Sequence, residues 1–374
     1  MTKRSYGSGN ILERSPGVFL VRYRDNAGKR HNETVKGNRK RAEAVLTERR
    51  TSLETGSFSG KKKLTVGAYL QDWLETYAVT NCTAKTVQGY KQSINCYTGP
   101  VSGITLQKLD ATHIQPIYAG MIKLGLSNRS VDALHKALSI AFNTAVKQGT
   151  IKRNILDAVI APKVIKKEVE VWDTETRAKA MTILKESQYG DFYQLGLMTG
   201  MRRGELAGLK WASVNLASKH LQIVNTLQRI TGQGLMNGQP KTERSRRSIA
   251  LSPDTVSLLH EIRGKQMTQQ LQVADAWTDS GYVFTHPDGM PIDPNLATRA
   301  FKKVVTTSRL PKLTIHGLRH THATILLEQG VNPKVVSERL GHASVATTMD
   351  IYSHVLPDMQ EKAALAIDAA LAPK

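Results

Sequence analysis

Two short stretches with no capacity for a hydrophobic core set the limits of this chain. Residues 56–63 (Gly-Ser-Phe-Ser-Gly-Lys-Lys-Lys) are small, flexible and then basic, and residues 161–171 hold Pro162 among Lys163, Lys166 and Lys167. Segments of that composition connect domains rather than build them. They cut the 374 residues into three pieces, and a 40% hydrophobic content is enough to give two or three domains cores of their own. The expected organisation is a module over 1–57, a second over 64–160, a third over 172–355 and a short helical tail over 356–374. The expected fold class is multidomain, with a small N-terminal β-sheet plus helix, then an all-α domain, then a mostly α (α+β) domain.

Charge narrows the partners. The formal net charge is +21, and residues 1–63 alone hold 16 Lys/Arg against 6 Asp/Glu. Such an excess concentrates polyanions and speeds encounter with them, so nucleic acid leads and an anionic membrane surface follows. No stretch approaches the ~20 apolar residues that cross a bilayer, and residues 1–10 lack an apolar signal core. A cytoplasmic protein without a membrane partner is expected. Cys82 and Cys96 make neither a disulfide framework nor a thiolate zinc site, and both read as packed thiols.

The first module reads as strands over 9–14, 18–24 and 29–35, then a helix over 38–54. Alternation places Phe19, Val21 and Tyr23 on one sheet face, opposite Ala42, Val45, Leu46 and Leu53 of the helix. Leu20, Arg22 and Arg24 then share the other face. That face, with Lys29 and Arg30 nearby, suits a DNA groove or phosphates, and equally a merely solvated basic surface. In the second module Thr65 can cap a helix carrying Tyr69, Leu70, Trp73, Leu74 and Tyr77 as core, and helices follow over 84–97, 111–124 and 128–148. Beyond Trp172 helices dominate, interrupted by one strand pair over 220–230 and 246–251.

Three clusters carry the chemistry. Thr199-Gly200-Met201-Arg202-Arg203-Gly204-Glu205-Leu206 lies between two helical segments. His316-Gly317-Leu318-Arg319-His320 is the second, and Leu340-Gly341-His342 the third, with Tyr352 ten residues beyond His342. In order and spacing these boxes resemble the tyrosine recombinase, or phage integrase, family. Its pattern is T-G-x-R-x-x-E-L, H-x-x-R, L-G-H and a tyrosine shortly after, with a lysine in or beside a β-hairpin between the first two. Lys241 of Pro240-Lys241-Thr242 stands at that place.

The resemblance implies a site-specific DNA recombinase that works through a 3′-phosphotyrosyl bond to Tyr352, without metal, nucleotide or other cofactor. The chemistry agrees with the residue types. Attack on a phosphodiester builds negative charge on nonbridging oxygens, which Arg202 and Arg319 can meet with paired donors that never lose their charge. Each well-placed donor of this kind is worth about 3–4 kcal/mol. His342 adds a further donor. A phenol titrates near ~10, so the attacking Tyr352 needs a proton acceptor, for which His316 is the candidate. The departing 5′ oxygen needs a proton, which is the role assigned to Lys241, with Arg244, Arg246 and Arg247 close by as competitors. Plainer readings remain beside these. Arg202 and Glu205 are spaced for a helical ion pair; Arg203 reads as a surface or DNA-contacting residue; His320, His322 and His354 read as packing or phosphate contacts.

The family further implies an arm-type DNA-binding domain at the N-terminus, a core-binding domain over 64–160 and a catalytic domain over 172–355. The partners implied are double-stranded attachment-site DNA of core and arm type, a homotetramer on that DNA, and a possible DNA-bending protein and excision factor. The biology implied is integration and excision of a prophage or integrative element. Departures exist: Asn154 is followed by Ile155 where the family often has proline. The tail aligns Met359, Ala363, Ile367 and Leu371, for docking on a neighbour or folding back. Residues 325–342 also resemble a helix-turn-helix, so a repressor-like regulator is the alternative, and a type IB topoisomerase-like enzyme a third reading.

Overall fold

A computed structural model of the chain describes residues 9–26, 28–54, 64–165, 170–238, 246–342 and 344–352, with residues 364, 365, 367, 368 and 371 of the tail. It divides into two compact units, Met1–Ile165 and Lys166–Lys374.

The first unit opens with an antiparallel sheet ordered β1 (Asn10–Ser15), β2 (Val18–Arg24), β3 (Arg30–Lys36), followed by α1 (Arg39–Glu54). Asp25 shapes the turn between β2 and β3. Its carboxylate accepts from the Lys29 backbone N–H at 2.8 Å, and Gly28 adopts φ +78°. Phe19, Val21, Tyr23 and Val35 bury against Ala42 of α1, with Val45, Leu46 and Leu53 packed around them. The alternation holds, and Leu20, on the same face as the exposed Arg22 and Arg24, is nevertheless only 4% exposed. Leu20 is on the central strand, in register with Leu12 on one side and Thr34 on the other, and those cross-strand neighbours flank it.

The rest of this unit is helical. Thr65 caps α2 (Val66–Trp73), which runs through a π-helical turn at Leu74–Ala78 into α3 (Val79–Asn81). Then come α4 (Ala84–Tyr97), α5 (Ala111–Lys123) and α6 (Asn128–Lys147). Tyr69, Leu70, Trp73, Tyr118, Leu134 and Phe142 fill the core. The aromatic tips are satisfied inside it, with Tyr69 Oη donating to Ala141 O at 2.6 Å and Trp73 Nε1 to Thr144 Oγ1 at 3.2 Å. Asn154 works without a following proline. Its amide donates to Ser139 O and Asn143 Oδ1, and its oxygen caps the 3-10 turn Ile155–Ala158. Cys82 is half-buried, but Cys96 is exposed rather than packed, because the buried face of α4 passes through Ile94, two residues away.

The second unit is built around α8 (Gly190–Thr199), whose Phe192, Tyr193, Leu195 and Gly196 are buried. Before it lies α7 (Thr174–Lys185), and after it α9 (Arg203–Ala207). The strand region is more divided than a single pair. β4 (Val214–Asn215), β5 (His220–Ile223) and β8 (Arg247–Ala250) form one antiparallel sheet, ordered β4-β5-β8, while β6 (Thr226–Ile230) and β7 (Gly234–Gly238) form a separate hairpin. The expected strand over 220–230 is thus two strands in two sheets. The glycine-rich segment supplies β7, because Gly232 at φ +81° and Gly234 at φ +80° let the chain reverse there. The unit closes with α10 (Pro253–Val273), α11 (Pro294–Thr307), α12 (Ile315–Glu328), α13 (Pro333–Leu340) and α14 (Val345–Tyr352). Among the described residues no helix is long and apolar enough to cross a membrane.

Candidate active site

The first box sits at a forced bend. α8 ends at Gly200 in the left-handed region, φ +67°, where a Cβ would lie 2.6 Å from His322 Cδ2 and 2.8 Å from Leu340 Cδ2. Only glycine fits both the dihedral and the space. The bend places Arg202 at the N-terminal cap of α9, where its own N–H donates to Glu205 Oε2 at 2.9 Å. The guanidinium donates from Nη1 to Glu205 Oε1 at 2.7 Å and from Nη2 to Gly341 O at 2.8 Å. The helical ion pair therefore exists, and it aims the arginine. The side chain still keeps 36% of its surface exposed, and among the described residues these bonds occupy two of its five N–H donors.

The second box projects from the first turns of α12, capped by Thr314, whose Oγ1 accepts from Gly317 N. Arg319 is 2% exposed and donates from Nη1 to Gly200 O at 2.8 Å and from Nη2 to Leu340 O at 2.7 Å. α13 ends at Gly341 in the left-handed conformation, φ +67°, which turns the Leu340 and Gly341 carbonyls toward the two arginines. His342 follows at once, with Nδ1 bonded to Thr348 Oγ1 of α14 at 2.8 Å. Three boxes spread over more than a hundred residues are thus laced together: Arg319 bridges the first and third, and Arg202 reaches the third.

The charge balance is positive. Glu205 is 2% exposed; burial would push its carboxyl up, but hydrogen bonds and charge from Arg247, with the charge of Arg202, outweigh this and hold it below the usual range. Desolvation and then the charges of Arg319 and Arg202 push both His316 and His342 down, His342 to about 4. His320 packs edge-on against His316 at 4.7 Å between ring centroids and is pushed to about 4 by burial, His316 and Arg319. All three imidazoles are thus biased toward the neutral form in the free chain, and an arriving anion would raise their affinity for a proton. His316 is solvent-exposed, His320 and His342 half-buried.

Other residues have structural partners. Arg203 donates to Thr298 Oγ1 at 2.8 Å. His322 is wedged between Leu197 O at Nδ1 and the Arg339 guanidinium at Nε2, so it is a packing residue. The helix pair α12–α13, which resembles a helix-turn-helix, buries Ala323 and Leu327 against Val336 and Leu340 and frames this site. Lys241 and His354 lie outside the described residues; Tyr352 is the last residue of α14, and its side chain lies outside them too. Arg246 is exposed before β8. Sequence reasoning named Arg247 only as a competitor of Lys241, and it passed over Arg339. Arg247 grips both oxygens of Glu205, and its Nε donates to Arg339 O at 2.6 Å. No local pattern marks it, since its partner is on another element.

The phage integrase family profile matches residues 166–359, just over half of the chain. The chain belongs to the phage integrase family. It is a tyrosine recombinase, an enzyme of site-specific DNA strand exchange. A XerC-like tyrosine recombinase of Caldanaerobacter subterraneus subsp. tengcongensis is 28% identical over 360 residues, covering 91% of this chain and 92% of that one. Among solved structures, the Tn1549 transposon integrase in complex with transposon right end DNA superposes with a TM-score of 0.68 at 20% identity, covering 83% of this chain and 100% of that one. A lambda integrase tetramer bound to a Holliday junction superposes with a TM-score of 0.59 at 19% identity, over 92% and 96% of the two chains. This recombinase thus shares the multidomain integrase fold.

Proposed function

We propose that this recombinase cuts each strand by attack of Tyr352 on a phosphodiester that lies across Arg202, Arg319 and His342. The observation that carries the reading is the meeting of both guanidiniums at the Leu340–Gly341 carbonyls, directly before His342 and the helix that ends in Tyr352. A phosphate placed there meets two permanent cations and an imidazole within one hydrogen-bonded frame. His316, exposed and with its affinity for a proton lowered by its packed surroundings and by Arg319 and Arg202, takes the phenol proton, and Lys241 protonates the departing 5′ oxygen. Cleavage leaves a 3′-phosphotyrosyl bond and a free 5′ hydroxyl, and the reverse attack by a hydroxyl of the partner strand rejoins the DNA.

Residues 1–57 would bind arm-type sites through Arg22, Arg24, Lys29 and Arg30, all four exposed, and residues 64–160 would bind the core site. Residues 172–355 would carry the catalysis. Four copies would act on two sites, as the lambda integrase tetramer on a Holliday junction suggests, with a DNA-bending protein and an excision factor as accessories. In the tail over 356–374, Leu365, Ile367 and Leu371 are 60%, 60% and 78% exposed, which suits docking on a neighbouring protomer. The element moved would be a prophage or integrative element.

The test is a nicked duplex carrying the core site, mapped by footprinting on DNA flanking the gene, incubated with the full chain without metal or nucleotide. A covalent protein–DNA band in the wild type, absent in Tyr352→Phe, is the expected result. A chain that binds this site but forms no band, with accessory factors supplied, would overturn the reading.

A further inference from the structure

α14 is tied to His342 through a polar side chain. Among its described side chains Val345, Ala346 and Met349 are exposed, and Thr348 alone is fully buried, at 0% exposure. An eight-residue helix at the edge of a unit would ordinarily be anchored by an apolar side chain. Among the described side chains the buried one carries a hydroxyl, and that hydroxyl meets His342 Nδ1 at 2.8 Å. Thr348 and Tyr352 are four residues apart on one helix and so share a face.

We infer that Thr348 is a positioning residue whose hydroxyl fixes the His342 ring and the helix of the Tyr352 nucleophile in a single hydrogen bond. The inference rests on the reading of His342 as a donor to the scissile phosphate. A neutral imidazole has one N–H and one bare nitrogen, and the bond made at one nitrogen decides the role of the other. With the threonine hydroxyl donating into Nδ1, the ring proton resides on Nε2, which leaves that nitrogen as a donor for a phosphate oxygen. In the opposite tautomer Nε2 would turn a lone pair toward the anion. Because the same hydroxyl belongs to α14, the nucleophile's helix cannot leave its seat without releasing the tautomer of His342. Phosphate binding and nucleophile delivery are then coupled in one chain. Burial and the nearby Arg319 and Arg202 keep the ring uncharged before DNA arrives, so the choice of tautomer has consequences.

The experiment uses the full chain with 15N-labelled histidine, free of DNA, and assigns the His342 signals by their loss in His342→Gln. The expected spectrum has a bare Nδ1 and a protonated Nε2 in the wild type and in Thr348→Ser, and a mixture of tautomers in Thr348→Val. On the nicked core-site duplex, Thr348→Val should form the covalent complex about tenfold or more slowly, and Thr348→Ser within about threefold of wild type, at unchanged DNA affinity. A wild-type His342 with its proton on Nδ1 overturns the inference and needs no variant that folds. Equal cleavage by Thr348→Val and wild type, while His342→Gln is slow, overturns it too and leaves the site reading standing. Wild-type cleavage by His342→Gln would instead remove the site reading on which the inference rests.

Discussion

Arg247 donates to both carboxylate oxygens of Glu205, at 3.2 and 2.9 Å, while Arg202 shares the same carboxylate at 2.7 Å. One buried acid thus carries an outer arginine that reaches the third box and an inner arginine that anchors it, the inner one only 6% exposed. The inner cation keeps Glu205 from being a buried charge with a single half-exposed partner. Replacing Arg247 by methionine should destabilise the second unit by about 3 kcal/mol, as removal of one member of a buried pair does. Urea denaturation followed by tryptophan fluorescence would measure it. A loss near zero would mean that Glu205 is held by Arg202 alone.

The same buried frame predicts how stability responds to acid. His322 is 6% exposed, and its pKa is pushed to about 4 by burial and then by Arg339. A histidine whose folded pKa is depressed binds fewer protons folded than unfolded, so the stability it contributes is present above the unfolded value and is lost as pH falls through the folded one. The window runs from about 6.5 down to about 4, and by pH 5 His322 alone should cost about 2 kcal/mol. His342 and His320, also near 4, act in the same direction. Urea midpoints between pH 7 and pH 5 should fall, and less steeply in His322→Gln, whose amide can donate to Leu197 and accept from Arg339 without titrating. Identical pH slopes in the two proteins would remove His322 from the account.

Substitution of the paired arginines tests geometry against charge. Arg202→Lys and Arg319→Lys keep the cation but lose the fork that lets one side chain hold a carbonyl and still face a phosphate. Cleavage of the nicked duplex should fall about a hundredfold or more in each, with DNA affinity changed little. Arg319→Lys should also lose stability, since Gly200 O and Leu340 O would no longer be satisfied together. Single-turnover cleavage near the wild-type rate in either variant would refute a direct role on the phosphate.

The legible part of this molecule was the part where chemistry dictates residue type. The boxes around Arg202, Arg319 and His342 stand out because the family pattern they match is written in residue types at fixed spacings, and Gly200 because no other residue fits its bend. Helix limits were legible where a cap coincides with apolar periodicity, as at Thr65 and over 128–148. The split of 220–230 was not, since β5 and β6 are equally strand-like and differ only in their partners, β8 and β7. The face of Leu20 was legible but its burial was not, because alternation knows nothing of a central strand's lateral neighbours. The roles of Arg247 and Thr348 were invisible for a related reason: each acts through a tertiary contact, and neither stands in a pattern of its own.

The N-terminal sheet gives the last test. Arg22 is exposed on the face turned away from α1, whereas Arg24 spends one donor on Gly28 O at 3.0 Å within the β2–β3 turn. Arg22 is therefore the cleaner probe, because its removal takes away a cation without loosening the turn. If this face lies on arm-site phosphates, each phosphate left without its cation should lower the slope of log affinity against log salt by about 0.9. Arg22→Ala should do so for arm-site DNA and leave core-site affinity as it was, and adding Arg30→Ala should lower the arm-site slope again. Binding titrations across a range of salt concentrations separate the outcomes. A uniform weakening on arm and core DNA would make this face a general electrostatic surface, and no weakening on either would make it a solvated one.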